Sequence, residues 1–366
     1  MIRALSPYYI DTPLTYTGGT CEKFTLNVWV WQGDFYSPSS ENSYKLTYKN
    51  TTGSTGSHKI NINAMIQDYI EFNAPSTFSV IAGTTIKNGG GNQAWVKWYV
   101  TYDDDDVTKF HELEELMTLG YSYGYEGENY DALPSPFLMP EMDYRVNRNG
   151  VTIVPFFVGE FSFGDITISA DGGAAGFTQT ITPDTHSGTM IRYLWIDLIN
   201  NFAGAQFLEV EFQGYTITLD IYEEARYTPM DIMFQNKDGA MQTFTFFKDR
   251  KEETNVTDST FESNRGQVSN GYHQFLRYNV QARNSVSAST GFINERENEI
   301  VQQILYSRRI WIYDPTNQIY RAVNIKDKAQ SFKTKLTERL INYTMTVSYT
   351  HLRAHETGRN LVCRLL

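Results

Sequence analysis

Cysteine is nearly missing from the sequence: Cys21 and Cys363 are the two thiols in 366 residues, and histidine contributes six positions scattered along the chain. So sparse a supply does not make a clustered His/Cys metal site, and no metal or other cofactor is expected. Basic charge is also short, with 31 Lys+Arg against 42 Asp+Glu and a formal charge of -11. Phosphate backbones are held by a basic stripe, and none is present, so nucleic acid is not an expected partner. No apolar run approaches the roughly 18 residues of a membrane-crossing helix, so no membrane partner is expected either. The start, "MIRALSPYYIDTPLTY", has neither the apolar stretch nor the small-residue cleavage site of a secretory leader, which points to synthesis in a cytoplasm.

What the chain does hold is Tyr, Phe, Thr, Gly and Asn, the composition of twisted sheets and tight turns. The expected fold is all-β, built from several β-sandwich modules, with one short helix near the front and one bracing the C-terminal part. Residues 1–103 read as the first sandwich. In "KFTLNVWVWQG", Phe24, Leu26, Val28 and Val30 alternate against Trp29 and Trp31, the period of two that marks a strand. "SYKLTYKN" and Gln93 to Tyr102 read as further strands. "NAMIQDYIEF" reads as a helix with Asn63 as cap and Met65, Ile66, Tyr69 and Ile70 on one face.

Residues 104–140 read as an acidic, Tyr/Gly-rich linker. Phe110, Leu113, Leu116 and Met117 have the spacing of a two-turn helix, and the glycines and prolines from Gly120 to Pro136 oppose regular structure after it. Residues 141–226 read as a second sandwich of short strands separated by glycine turns. Residues 227–346 read as a C-terminal β domain. It opens with a hairpin around "NKDG" and contains a helix from Asn294 to Ser307, where Glu297 answers Asn294 as a capping box and Ile300, Val301, Ile304 and Leu305 face the core.

Few motifs speak for chemistry. The run Asp103 to Asp106 lacks the glycine and distal glutamate of a calcium loop, and "HELEE" at His111 to Glu115 lacks the second histidine of a zinc-protease helix. "KNGGGNQ" and "ADGGAAGF" lack the Lys-Ser/Thr ending of a phosphate loop and read as hairpin connections. Glu209 with Glu211 and Glu223 with Glu224 are carboxylate pairs of the kind glycosidases use, placed where ordinary solubility also puts them. The candidate ligand or interface surface is the loop "GYSYGYEGENY", with Tyr121, Tyr123, Tyr125 and Tyr130 suited to stacking on sugar rings or packing at a protein interface. The chain is expected not to be an enzyme.

The end of the chain, "TVSYTHLRAHETGRNLVCRLL", has its own reading. Val347 to Thr357 is similar to the translation of a transposase-type sequencing adapter, and "NLVCRLL" to the constant segment that follows an index. On that resemblance residues 347–366 are a non-native tail, the native chain is expected to stop near Met345 or Thr346, and Ser348 to Leu366 is expected to lack strand or helix logic. Cys363, His351 and His355 would leave with it, as would three arginines and one glutamate. Lys+Arg then falls from 31 to 28, Asp+Glu from 42 to 41, and the formal charge moves from -11 to -13. The single remaining thiol, Cys21, could form no disulfide within the chain.

"LSPYYID", "FTLNVWVWQGD" and "INAMIQDYIEF" at the front, with "MFQNKDGAMQTFTFFKDRKE", "NERENEIVQQILYSRRIWIYD" and "VNIKDKAQSFKTKLTERLINYTMTV" near the end, resemble virion structural proteins of tailed phages of Bacteroidetes-like hosts. The resemblance skips much of Tyr121 to Glu224 and carries no active-site residue. It implies a tail or tail-associated component of a virion, assembled in the host cytoplasm with other copies or other virion proteins. From a different class, a carbohydrate-binding adhesin would use the tyrosine loop on a host-surface glycan.

Overall fold

The computed structural model describes residues 2–13, 15–16, 19–20, 23–31, 43–49, 57–69, 83–88, 93–104, 107–119, 123, 135–140, 142–158, 164–181, 191–262, 273, 275–314, 317, 319–327 and 341–353. Among them the fold is all-β with two short α-helices, as the composition implies.

The first block contains β1 (Ile2–Arg3), β2 (Tyr9–Pro13), β3 (Thr15–Tyr16), β4 (Gly19–Thr20), β5 (Lys23–Trp31), β6 (Ser43–Lys49), β7 (Ser57–Asn61), α1 (Asn63–Tyr69), β8 (Thr85–Asn88), β9 (Gln93–Asp104) and β10 (Val107–Leu119). Five of these strands make a sheet in the order β1-β10-β9-β5-β6, while β2 pairs with β7 and β3 with β4. The alternation in β5 works as read: Phe24, Leu26, Val28 and Val30 are fully buried in one core with Val96 and Val100 of β9 and with Ile62 and Ile66 at α1. The helix start differs from expectation, because Asn61 rather than Asn63 supplies the capping oxygen: its Oδ1 accepts the N–H of Asn63 at 3.1 Å and that of Tyr8 at 3.1 Å.

A larger correction concerns Val107–Leu119. The two-turn helix expected there is instead strand β10, antiparallel to β9 from Val107↔Asp104 to Leu119↔Gln93, with a register shift between His111 and Glu114. β1 then adds to its other edge in parallel, Ile2 opposite Thr118. Leu, Glu and Met favour helices only weakly, and two flanking strands that offer a ladder outweigh that preference. "HELEE" therefore lies on a strand, and the part of the linker up to Leu119 belongs to the first sheet.

The second block contains β11 (Asp143–Asn147), β12 (Thr152–Phe157), β13 (Gly164–Ala170), β14 (Ala175–Ile181), β15 (Ile191–Ile196), β16 (Phe207–Phe212) and β17 (Tyr215–Tyr222). Its five-stranded sheet runs β11-β17-β16-β13-β14. The "ADGG" connection is a tight turn, as expected: Asp171 and Gly172 have φ of 51° and 67°, the left-handed pair that matches the twist of a hairpin. A second sheet, β12-β15-β8, takes its third strand from the first block.

The third block contains β18 (Met230–Gln235), β19 (Met241–Phe246), β20 (Arg250–Glu262), β21 (Phe275–Ser289), a 3₁₀ turn at Glu295–Glu297, α2 (Asn298–Tyr306), β22 (Ile310–Asp314), β23 (Ile319–Ile325) and β24 (Thr344–Arg353). Its seven strands run β19-β18-β22-β23-β24-β21-β20. The capping box is present, with the backbone N–H of Asn294 donating to Glu297 Oε2 at 2.7 Å, and Ile300, Val301 and Ile304 are buried. Glu297, itself 4% exposed, also receives Nε and Nη2 of Arg145 at 3.2 Å each, tying α2 to β11.

Two features cut across the blocks. One apolar cluster extends from Phe137 to Val347 across the boundary at 226/227, joining β11 to β17 with β18 and α2. A second gathers Trp31, Trp95, Trp195 and Trp311 from all three blocks, with Trp29 packed against it. Strand β24 also passes through the point where the adapter-like residues begin. Against the expected loss of strand logic from Ser348 onward, Ser348, Tyr349 and Thr350 continue the ladder along β21, next to a fully buried Val347. Backbone pairing asks little of side chains, so a sheet edge can carry a segment whose own pattern has faded.

Candidate interaction surface

Of the four tyrosines singled out in the loop, Tyr123 lies within the described residues; Tyr121, Tyr125 and Tyr130 lie outside them. Tyr123 sits on the β18–β19 turn. Its N–H donates to the carbonyl of Lys237 at 2.8 Å, and its own carbonyl accepts Nη1 of Arg3 at 2.8 Å. Arg3 Nη1 also reaches Lys237 O at 3.1 Å and Asp238 Oδ1 at 2.9 Å. From the other side, the N–H of Lys237 donates to Gln303 Oε1 of α2 at 3.1 Å, and its ammonium meets Glu299.

The turn is held rigid by Asn236. Its Oδ1 accepts the N–H groups of Asp238 at 3.0 Å and Ala240 at 3.1 Å, while its Nδ2 donates to Leu138 O at 2.6 Å and Gln242 Oε1 at 3.1 Å. Buried amides satisfied in this way fix a loop far better than they would in water. The Tyr123 ring meets Tyr306 edge-on at 6.0 Å. Burial, then the neighbouring Tyr306, Asp238 and Glu299, push its phenol well above the usual tyrosine range, with Arg3 acting in the opposite direction. This position of the loop thus joins the first block to the third, and its phenol stays protonated.

A buried carboxylate lies in β18. Asp231 accepts Thr245 Oγ1 at 2.6 Å and Asn147 Nδ2 at 3.1 Å, and burial raises its pKa to about 6. Gly150 stands over it so closely that a Cβ there would lie 2.3 Å from Oδ2. The carboxylates weighed for glycoside cleavage stand elsewhere. Glu209 and Glu211 alternate with the buried Leu208, Val210 and Phe212 on β16, Glu223 lies 3.8 Å from Arg148, and Glu224 meets Lys248. Among the described residues no group of three His, Cys, Asp or Glu is placed to hold a metal, and no helix is long and apolar enough to cross a membrane.

One exposed apolar surface among the described residues is not marked by the sequence pattern. β20 and β21 form a long hairpin, paired from Arg250↔Ala288 to Glu262↔Phe275, and β24 accompanies only its base, from Ser289 to Gln281. Nearly every β20 side chain is exposed. Toward the tip, Phe261 and Tyr278 meet edge-on at 5.8 Å, exposed at 45% and 44%, and Phe275 is 62% exposed. Val256 is 49% exposed midway along β20. Arg277 pairs with Asp258 at 2.6 Å, and that contact pulls the Asp258 carboxyl below its ordinary range. The register shift after Thr257 falls on β21, where Asn279 has φ of 50°, so β20 remains regular through its thirteen residues.

Neither a known family's sequence profile nor any curated protein matches this chain.

Proposed function

We propose that the chain is a non-enzymatic structural component of a phage virion, tail or tail-associated, that acts by assembling with other protein chains. The observation that carries the reading is the β20–β21 hairpin. Exposed apolar side chains that gather mark interaction surfaces, and on this hairpin Phe261 and Tyr278 meet on one face while Val256 and Phe275 stand exposed on the other. Four such side chains left in water on an exposed strand pair are stabilised by a partner that covers them. The interlocked blocks support the same reading, since a part that bears load within a particle needs its sheets joined. Here Arg3, Tyr123 and the β18–β19 turn make that join. The resemblance of both ends of the chain to virion structural proteins of tailed phages agrees with it.

Tryptic mass spectrometry of density-purified particles from the source tests the proposal. Peptides between Phe24 and Lys333 are expected to band with the capsid protein. Their presence only in the cellular fraction would instead favour the glycan-binding adhesin.

A further inference from the structure

We infer that the outer edge of β20 pairs antiparallel with β20 of a second copy, across a two-fold axis at Val256, so that one sheet runs through both copies. The inference deepens the assembly reading and rests on it, naming the partner and the register. Its first support is geometric. β20 ends the seven-stranded sheet, and among the described residues no strand lies on its outer side. It contains no proline, its backbone is regular for thirteen residues, and its side chains are exposed except for the partly buried Arg250, Asp258 and Ser259. Such an edge is a template for another strand.

The second support is the charge pattern of "RKEETNVTDSTFE". A two-fold axis perpendicular to the sheet keeps each side chain on its own face, so symmetric registers differ by slides of two residues. With Val256 facing Val256, Arg250 stands opposite Glu262 at both ends, Glu252 opposite Thr260, and Thr254 opposite Asp258. On the other face, Lys251 stands opposite Phe261 and Glu253 opposite Ser259. No like charges meet anywhere along the strand. The slide in one direction sets Glu252 against Asp258 twice, and the slide in the other sets Glu252 against Glu262 twice. The register that pairs the whole strand is thus the one its charges select, and the neighbouring ones are opposed. In it the Lys251 stem and ammonium cover the outer side of Phe261, whose inner side already meets Tyr278.

The test uses the full chain in analytical ultracentrifugation and disulfide trapping. The unaltered chain is expected to sediment as a dimer at micromolar concentration. Arg250→Glu and Glu262→Arg, each creating two like-charge pairs, are expected to weaken the dimer about tenfold or more, and the double exchange is expected to restore it. Glu252, the present ion-pair partner of Arg250, is unchanged in the double variant, so the rescue reports the pair between copies. In a Cys21→Ser, Cys363→Ser background, Val256→Cys is expected to cross-link under mild oxidation. Thr254→Cys is not, because its own copy lies about four residues, or roughly 13 Å, along the strand. A chain that stays monomeric to about 100 μM, or charge variants that leave association unchanged, would overturn the pairing, as would cross-linking equal at 254 and 256. A monomer that still bands with purified particles would remove the pairing and leave the assembly reading. A β20 dimer absent from the particles would remove the virion reading and leave the pairing.

Discussion

β18 and β20 belong to one seven-stranded sheet, yet their side chains meet opposite surroundings. All six residues of β18 are buried, and its charged member, Asp231, is surrounded by groups that hydrogen-bond to it. β20 stands in water along its length, and its apolar members, Val256 and Phe261, have nothing comparable around them. A strand's place in the sheet decides which of its residues is costly: the carboxylate in the interior, the aromatic ring at the edge. The interior case is settled within the chain by Asn147 and Thr245. The edge case has no such settlement within the described residues, and the proposed second copy would supply it.

The widest separation between the two strands should appear in stability. Phe234 of β18 is fully buried, and Phe234→Ala is expected to cost about 3–5 kcal/mol, as large-to-small changes in packed cores do. Phe261→Ala is expected to stay within about 0.5 kcal/mol, as surface changes usually do. Urea denaturation at a concentration where the chain is monomeric measures both. Equal costs would erase the contrast by making the hairpin part of the core.

Asp231 gives the next effect. Its folded pKa of about 6 lies above the ordinary 3.8, so the folded chain holds this proton more tightly than the unfolded chain. Stability from this site is therefore fully present below the unfolded pKa and falls as pH rises from about 4 to about 6. At roughly 1.4 kcal/mol per pKa unit, the loss approaches about 3 kcal/mol by pH 7. Urea midpoints from pH 4 to 7 should show this decline, and Asp231→Asn should flatten it. An unchanged slope in that variant would place the carboxylate in a more polar setting than its burial implies.

Much of this was legible in the sequence wherever burial leaves a periodic trace. The alternation of β5, the glycine turns between strands and the capping box of Asn294 with Glu297 each produced the element they implied. β20 and the outer part of β21 left no such trace, because a strand exposed on both faces needs no apolar period, and "EETNVTDSTFE" looks like a loop. β10 misled for a different reason: its residues favour a helix locally, and the ladders of β9 and β1 override them. The junction of Arg3 with Tyr123 and Asp238 joins residues 120 and 235 positions apart, which no local pattern records. Tyr123 of the tyrosine loop meets Lys237 and Arg3 through its backbone and Tyr306 through its ring, contacts that no local pattern records either.

The smallest effect tests where β24 stops contributing to the sheet that β18 and β20 share. Val347 is fully buried, while Ser348 and Tyr349 beside it are half-buried. Ending the chain after Met345 removes the Val347 side chain and the ladder beyond it. The expected loss is about 2 kcal/mol, that of one buried aliphatic residue. Ending it after Tyr349 keeps that residue and is expected to restore most of the stability. Equal midpoints for the two truncations would mean that the adapter-like residues only lie along β21 without holding it, and that the hairpin's base depends on β23 and the core alone. A step between them would place residues that stabilise the sheet between Thr346 and Tyr349, with the buried Val347 the largest contributor expected.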